Sequence, residues 1–437
     1  MPSAQKAPRP APVRRAPSLR RNVLWAAIGN VGYAACQWGV LVVLAKLSSA
    51  EDVGRFALGL AVTAPVMIAA SMQLRVVQAT DARGDFHFGT YLGLRLVATV
   101  LALLTIAGVC LVAGYPRAVL ALVMVIAVAK ALEAGSDIVF GLLQQHEDLR
   151  RVTLSMLLKG VLSVAGVAGV LWLTGSVLAA TATMALSWGA MLAGYDLRAA
   201  RRLAAVRPVL RLRALGSLAW LALPMGLVAG LQSLMTNVPR YAIEAHGGAR
   251  ALGHFAAIAY LILAGNQPVM ALWAAVSPRL AHLFHTDRAA YRRLSQRTIA
   301  LACGMGAVTI GAAATLGGRA LTLLYTADYA AHADVLVWLS LVAAVGYVAS
   351  ALCCSITAAR RFPEQLAVAV VTLAASWLGS TLLVPRFGLV GAAWALLGAA
   401  VTQVVCLAAI YLYVSAGETA VATDAPAVAP RVEAVPA

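Results

Sequence analysis

Lys130, Glu133 and Asp137 stand at i, i+3 and i+7 of one apolar run, so a helix there puts all three on one face. Arg95 and Lys159 fall inside the neighbouring apolar runs, at depths where they could meet that face. An ionised side chain in hydrocarbon costs about 2.5 kcal/mol or more at mid-membrane, so five of them in adjacent segments need partners or an ion pathway. Three positive and two negative charges favour a paired network that holds these segments together. The competing reading is a relay for protons or ions.

Uncharged polar residues form a second set. Asn30, Tyr33 and Gln37 share a face of the first run, Gln232, Ser233, Thr236 and Asn237 lie in the seventh, and Asn266-Gln267-Pro268 interrupts the eighth. Amides and hydroxyls that both donate and accept suit a hydrated cavity for a hydroxyl-rich ligand; bonds between neighbouring helices are the plainer reading. Arg75 and Arg240, at the ends of the second and seventh runs, could hold phosphate in a bidentate fork, or simply snorkel to the interface. Pro65, Pro224 and Pro268 are candidate bends.

Catalysis and metal binding find less support. Glu244, His246, Tyr325 and Asp328 are scattered over the longest connecting segments without a nucleophile or acid–base motif, so no catalytic residue is expected. All six cysteines sit inside apolar runs, with no disulfide framework or metal-ligand spacing. Neither a metal nor a cofactor is expected, and coupling to protons or sodium stays open.

The elements that must position these residues follow from composition. A chain of 437 residues that is 62% hydrophobic and 12% charged, with mean hydropathy +0.84, has too little polar surface for a soluble globule. Twelve apolar runs of membrane length can be counted, near 23–45, 54–74, 89–114, 118–140, 152–174, 176–196, 215–238, 252–277, 298–318, 334–357, 364–384 and 388–414. The expected fold is all-α and polytopic, with twelve transmembrane helices. Of the 34 Lys and Arg residues 24 fall on the side of the termini and only 7 on the other, which places both termini in the cytoplasm. That asymmetry accounts for the net charge of +17 without nucleic acid.

Two halves are legible. Val53-Gly54-Arg55-Phe56-Ala57 is echoed by Leu252-Gly253-His254-Phe255-Ala256 at an offset of 199, and weaker echoes follow in the same order. Six spans per half gives parallel repeats around a central cavity. The expected boundaries are a disordered basic tail (1–21), a first lobe (22–197), a basic cytoplasmic linker (198–214), a second lobe (215–414) and a disordered tail (415–437). Arg279 to Arg297 reads as a connector or as a helix lying along the membrane surface.

Asn237-Val238-Pro239-Arg240-Tyr241, Gly253-His254-Phe255-Ala256-Ala257-Ile258-Ala259-Tyr260 and Ser277-Pro278-Arg279-Leu280 resemble recurring segments of polysaccharide-biosynthesis membrane proteins. These are the Wzx-type lipid-linked oligosaccharide flippases of the multidrug/oligosaccharidyl-lipid/polysaccharide exporter superfamily. Gly54-Arg55-Phe56-Ala57, Leu74-Arg75, Thr80-Asp81 and Leu324-Tyr325 with Asp328-Tyr329-Ala330 extend the likeness. It implies two six-helix bundles in a V, lined by the first, second, seventh and eighth helices. The implied activity is movement of an undecaprenyl-diphosphate-linked glycan across a bacterial inner membrane, for O-antigen or exopolysaccharide synthesis. It also implies that Arg75, Arg240 and the amide faces meet the head group, while the charges of the third to fifth helices lie away from the cavity.

The expected partners are the lipid-linked oligosaccharide, membrane lipids, a polysaccharide polymerase and a chain-length regulator, with the chain itself monomeric. A multidrug exporter of the same fold is the second reading, and a membrane polymerase or ligase the third.

Overall fold

The computed structural model describes residues 19–81, 84–359 and 361–416. Most of the two expected tails, with Arg83 and Arg360, lies outside the described residues. Peptide groups in hydrocarbon must be satisfied within their own segment, which favours helices, and every regular element described is helical. In chain order these are α1 (Leu19–Leu47), α2 (Ala50–Ser71), α3 (Leu74–Thr80), α4 (Phe88–Val112), α5 (Arg117–Gln145), α6 (Leu149–Thr174), α7 (Val177–Met191), a π-helical turn (Leu192–Asp196), α8 (Leu197–Ala200), α9 (Leu212–Gly265), α10 (Gln267–Thr286), α11 (Arg288–Leu324), α12 (Ala327–Ala330), α13 (Ala333–Ala358) and α14 (Phe362–Ala416). Side-chain caps set several starts: Ser49, Asp148, Ser176 and Asp287 each accept a backbone N–H three residues on.

Among the described residues ten helices are long and apolar enough to cross a membrane, so the chain is a multi-pass membrane protein. Two of the ten, within α9 and α14, are double-length and fold back on themselves. Each reverses at a glycine in the left-handed region, Gly248 (φ 72°) and Gly388 (φ 55°). Across the first reversal the Arg240 guanidinium lies 5.3 Å from the Tyr260 ring centroid; a straight helix would hold them about 30 Å apart. Across the second, a Cβ on Gly379 would sit 3.1 Å from the Ala395 Cα. Each of the two therefore contributes two helical arms.

Two connecting segments differ from expectation. The stretch from Pro239 to Ala251, expected outside the membrane, is helical up to the Gly248 kink. Burial explains it: Ile243 is buried and the Tyr241 hydroxyl donates to the Ala61 carbonyl of α2. The segment from Arg279 to Arg297, read as a connector or a surface helix, is the end of α10 and the start of α11, joined at Asp287. Leu280, Phe284 and Tyr291 pack there in one cluster with Ala358 and Val414.

Within the first half, α1 packs on α6, α6 on α7, and α5 on α2, α4 and α7; within the second, α13 packs on α10, α11 and α14, and α14 on α9. The halves meet chiefly along α2 and α9. At the end carrying the α1–α2 turn and Gly248 the contact is reciprocal. A Cβ on Gly54 would lie 1.7 Å from the Ala249 carbonyl oxygen, and one on Gly253 would lie 1.9 Å from that of Ala50. Both pairs are separated by 195 and 203 residues around the same offset of 199, as a twofold-like relation between repeats requires. A shared core continues from Val40, Leu44 and Phe56 through Leu252 and Phe255 to Tyr325 and Leu336. The Trp38 indole N–H donates to the Tyr325 hydroxyl at 3.0 Å across the same seal.

The opposite end is the basic one, and the division there is less clean. Leu215, Leu218 and Ala222 of α9 belong to a core with Leu74, Phe88, Tyr91 and Ile138 of the first half. The segment before α9 is held too, since Val209 N–H donates to the Gly89 carbonyl at 2.8 Å.

Beside the reciprocal seal, Asp328 accepts from His254 Nε2 at 2.9 Å and from Arg250 Nη2 at 3.3 Å, and the His254 ring lies 4.9 Å from those of His332 and Tyr329. The bonds from His254 and Arg250 hold the Asp328 carboxyl below its ordinary range. Burial, then neighbouring His254, lowers His332 against the opposing pull of Asp334 and Asp328. Both groups bind protons more readily when unfolded, so both make stability rise with pH. The His332 share is present above about pH 6.5 and is lost as pH falls through that value toward its folded pKa; the Asp328 share is lost further down, below about pH 4. His332→Gln is therefore expected to flatten the fall in thermal midpoint between about pH 8 and about pH 5.5. An unchanged pH slope in detergent melts of the variant would count against this.

Candidate functional site

The charged face of α5 is built as two linked pairs. Lys130 Nζ lies 2.8 Å from Glu133 Oε2, whose other oxygen accepts from the Tyr33 hydroxyl of α1. One turn on, Asp137 Oδ1 takes Arg75 Nη1 of α3 at 3.4 Å and Oδ2 takes Arg95 Nη2 of α4 at 3.1 Å. Arg75 Nε also donates to Gln144 at 3.3 Å, and its guanidinium lies over the Phe140 ring. Arg75 is turned to this face because α2 stops at Met72 and Gln73, both at positive φ (48° and 50°), before α3 begins. The buried Gln78 of α3 seats that short helix against α5, where a Cβ on Gly141 would meet it.

A third pair lies behind these. Lys159 Nζ of α6 is 3.9 Å from Asp196 Oδ2, and the Ser155 hydroxyl donates to Asp196 Oδ1 at 2.6 Å. Exposure separates two layers: the side chains of Arg75, Lys130, Glu133 and Asp137 are 27–31% exposed, those of Arg95, Lys159 and Asp196 at most 3%. The exposed layer faces a cavity of about 270 Å³ that also reaches Ala64, Met67 and Ser71 on the last turns of α2. A second space of about 150 Å³ shares Tyr33, Lys130 and Glu133 with it and adds Gln37, Trp188 and Tyr260. Tyr260 comes from the second half, and Arg240 stacks on it. The space is therefore closed by both repeats.

Arg75 and the charges of the third to fifth spans were expected in separate places, and the structure puts them in one. Arg75 is ion-paired to Asp137, and both line the same cavity. Asn30, Gln232 and Thr236 are exposed, Tyr33 and Gln37 line the smaller space, and Asn237 is buried, its amide Nδ2 donating to the Ser233 carbonyl. Arg240 Nη1 donates to Asn237 Oδ1 at 2.9 Å, so this arginine is committed within its own helix as well as to Tyr260. Asn266 Oδ1 accepts from the Tyr347 hydroxyl at 2.7 Å, a bond within the second half. The side chain of Gln267 lies outside the described residues.

Sequence reasoning missed Asp196 and Tyr260. Asp196 closes the sixth apolar run and reads as an ordinary interface residue; the π-helical turn that ends on it brings it fully inside. With it, each buried or half-buried cation of the network except Arg95 and Arg75, which share Asp137, has a carboxylate of its own. Among the described residues no group of His, Cys, Asp and Glu side chains is placed to hold a metal ion.

A family model described as "Polysaccharide biosynthesis protein" matches residues 19–284. The capsular polysaccharide biosynthesis protein CapF of Staphylococcus aureus is 22% identical over 405 residues, covering 90% of this chain and 98% of that relative. Among solved structures, the lipid II flippase MurJ in an inward closed conformation superposes with a TM-score of 0.70 at 12% identity, over 92% of this chain and 93% of that one. An inward-facing multidrug resistance MATE family transporter of the MOP superfamily gives 0.66 at 15% identity, over 92% and 96%. At such identities the structural likeness speaks for the fold.

Proposed function

The chain belongs to the polysaccharide biosynthesis protein family, and from that premise we propose that it moves a lipid-linked oligosaccharide across a bacterial inner membrane by alternating access. The observation that carries the reading is the convergence of Arg75, Arg95 and Lys130 on a cavity between membrane helices. A diphosphate and several sugars cannot enter hydrocarbon unaided, since each unpaired polar group costs several kcal/mol there. Guanidinium forks at Arg75 and Arg95 match phosphate oxygens in geometry and charge. Tyr33, Gln37, Asn30 and Gln232 offer donors and acceptors to sugar hydroxyls, and the Tyr260 ring offers a flat apolar face. The lipid tail stays in the bilayer while the head group crosses, so no cofactor or chemical step is involved. Both termini lie in the cytoplasm in this reading, where the basic end meets the anionic leaflet. A polymerase and a chain-length regulator would then act on the delivered product.

The capsular relative, whose name places it in polysaccharide synthesis, supports this substrate class over a drug. A multidrug exporter would need a free carboxylate for cationic drugs, and here Glu133 and Asp137 are each paired to cations. Purified protein in liposomes is expected to flip a fluorescent undecaprenyl-diphosphate glycan. Arg75→Gln, at a partly exposed site where Asp137 keeps Arg95 as a partner, is expected to slow it about tenfold or more, the weight of one charge-assisted hydrogen bond pair. Efflux of a cationic dye with no glycan movement would reverse the order of the two readings.

A further inference from the structure

We propose that the Asp137 carboxylate is an internal stand-in for phosphate, occupying the seat of the substrate's diphosphate between Arg75 and Arg95 until the substrate displaces it. The inference rests on the flippase reading and adds how that site is kept ready and how it lets go.

The geometry is that of a fork with its guest in place. Each oxygen of Asp137 faces a different guanidinium, Arg75 on one side and Arg95 on the other. A phosphate presents two oxygens at a similar spacing and charge, and the same donors would take it. Each arginine has a hold besides Asp137. Arg75 is held by Gln144 and lies over Phe140, and Arg95 is enclosed in α4's packing at 3% exposure. Asp137 at 31% and Arg75 at 28% exposure are open on the cavity side. The fork can therefore change partners without being rebuilt.

Depth fits as well. Asp137 lies eight residues before the end of α5 and Arg95 seven after the start of α4, about 10–12 Å inside the basic end. A lipid-anchored diphosphate sinking slightly below the head-group level would reach that position.

An empty fork of one buried and one partly exposed cation would be costly, and a fork that held phosphate without competition would release it slowly. A carboxylate on the same helix solves both problems, since it neutralises the empty site and competes for the fork when the product leaves. Asp137 thus sets affinity against turnover.

The test uses the full chain in detergent and in liposomes, with inorganic pyrophosphate and undecaprenyl diphosphate as probes. Asp137→Asn is expected to bind both about tenfold more tightly than wild type while flipping more slowly, and Asp137→Glu to restore wild-type behaviour in both. Tightening toward the lipid probe alone would still support the exchange and would show that the tail contributes to it. Equal or weaker binding by Asp137→Asn, with wild type binding normally, overturns the stand-in role and leaves the flippase reading intact. Failure of wild type to bind either probe, with no effect of Arg75→Gln, sinks the reading beneath it. Should Asp137→Asn not fold, wild type answers alone. A hydrophobic carbodiimide should label Asp137 faster when pyrophosphate is present, because the carboxylate has been released; unchanged or slower labelling overturns the proposal.

Discussion

Gly54→Ala and Gly253→Ala proteins are expected to accumulate as folded protein and to transport poorly, each for the same reason. A methyl group at either position would lie within 2 Å of a carbonyl oxygen of the other half, Ala249 or Ala50. The neighbouring atom is backbone, which cannot swing aside as a side chain can, so the helices must separate by more than an ångström. Overpacking of this kind costs about 1–3 kcal/mol, and here the cost falls only on the sealed arrangement. The balance between sealed and open forms should shift about 5- to 150-fold. Val40→Cys, in a background without the native cysteines, reports the shift, because Val40 is 2% exposed within the seal. Its labelling by an impermeant maleimide should rise with Gly54→Ala, and glycan flipping in liposomes should fall. Gly216→Ala, where nothing lies within 4 Å, is the matched control and should be silent. Unchanged labelling and transport in both seal variants would show that the contact is incidental.

Lys159→Met should behave in the opposite manner, failing at folding before any question of transport arises. It strands Asp196, which is fully buried with Oδ2 lacking a hydrogen-bond partner. Removing one partner of such a pair costs about 3–5 kcal/mol, a large part of the stability of an ordinary domain. Lys159→Met combined with Asp196→Asn should recover much of the loss, since the amide keeps Ser155 as a partner and carries no charge. Thermal midpoints and monodisperse yield in detergent decide it. A stable single variant, or a double variant no better than the single, would mean that the pair is not holding α6 to the π-turn. This is the scaffold part of the ionisable set, while Arg75, Lys130, Glu133 and Asp137, together with Arg95, line the cavity.

Much of this architecture could be read from residue order, for identifiable reasons. Apolar runs report helices well because hydrocarbon permits little else, and the i, i+3, i+7 spacing of Lys130, Glu133 and Asp137 needed only helical periodicity to put them together. The echo of Gly54 at Gly253 marked the repeat, and the two glycines proved to touch. Three-dimensional pairing was harder. Nothing at Met72-Gln73 announces a helix break, as neither residue is glycine or proline, so the turning of Arg75 onto the α5 face left no signal. The extension of α9 through Pro239 to Gly247 rests on the burial of Ile243 and the bond from the Tyr241 hydroxyl to Ala61 of α2, a tertiary effect that overrides the local proline. Asp196 required the π-turn, whose added residue rotates the side chain inward.

The opening turns of α9 have a consequence for the repeat itself. Because Leu215, Leu218 and Ala222 are buried among residues of the first half, scission in the connecting segment does not yield two self-sufficient pieces. The amino-terminal fragment would lose part of its own interior, and the carboxy-terminal one would expose an oily stub to solvent or lipid. The two halves thus form a single interlocked object, with their seam inside α9.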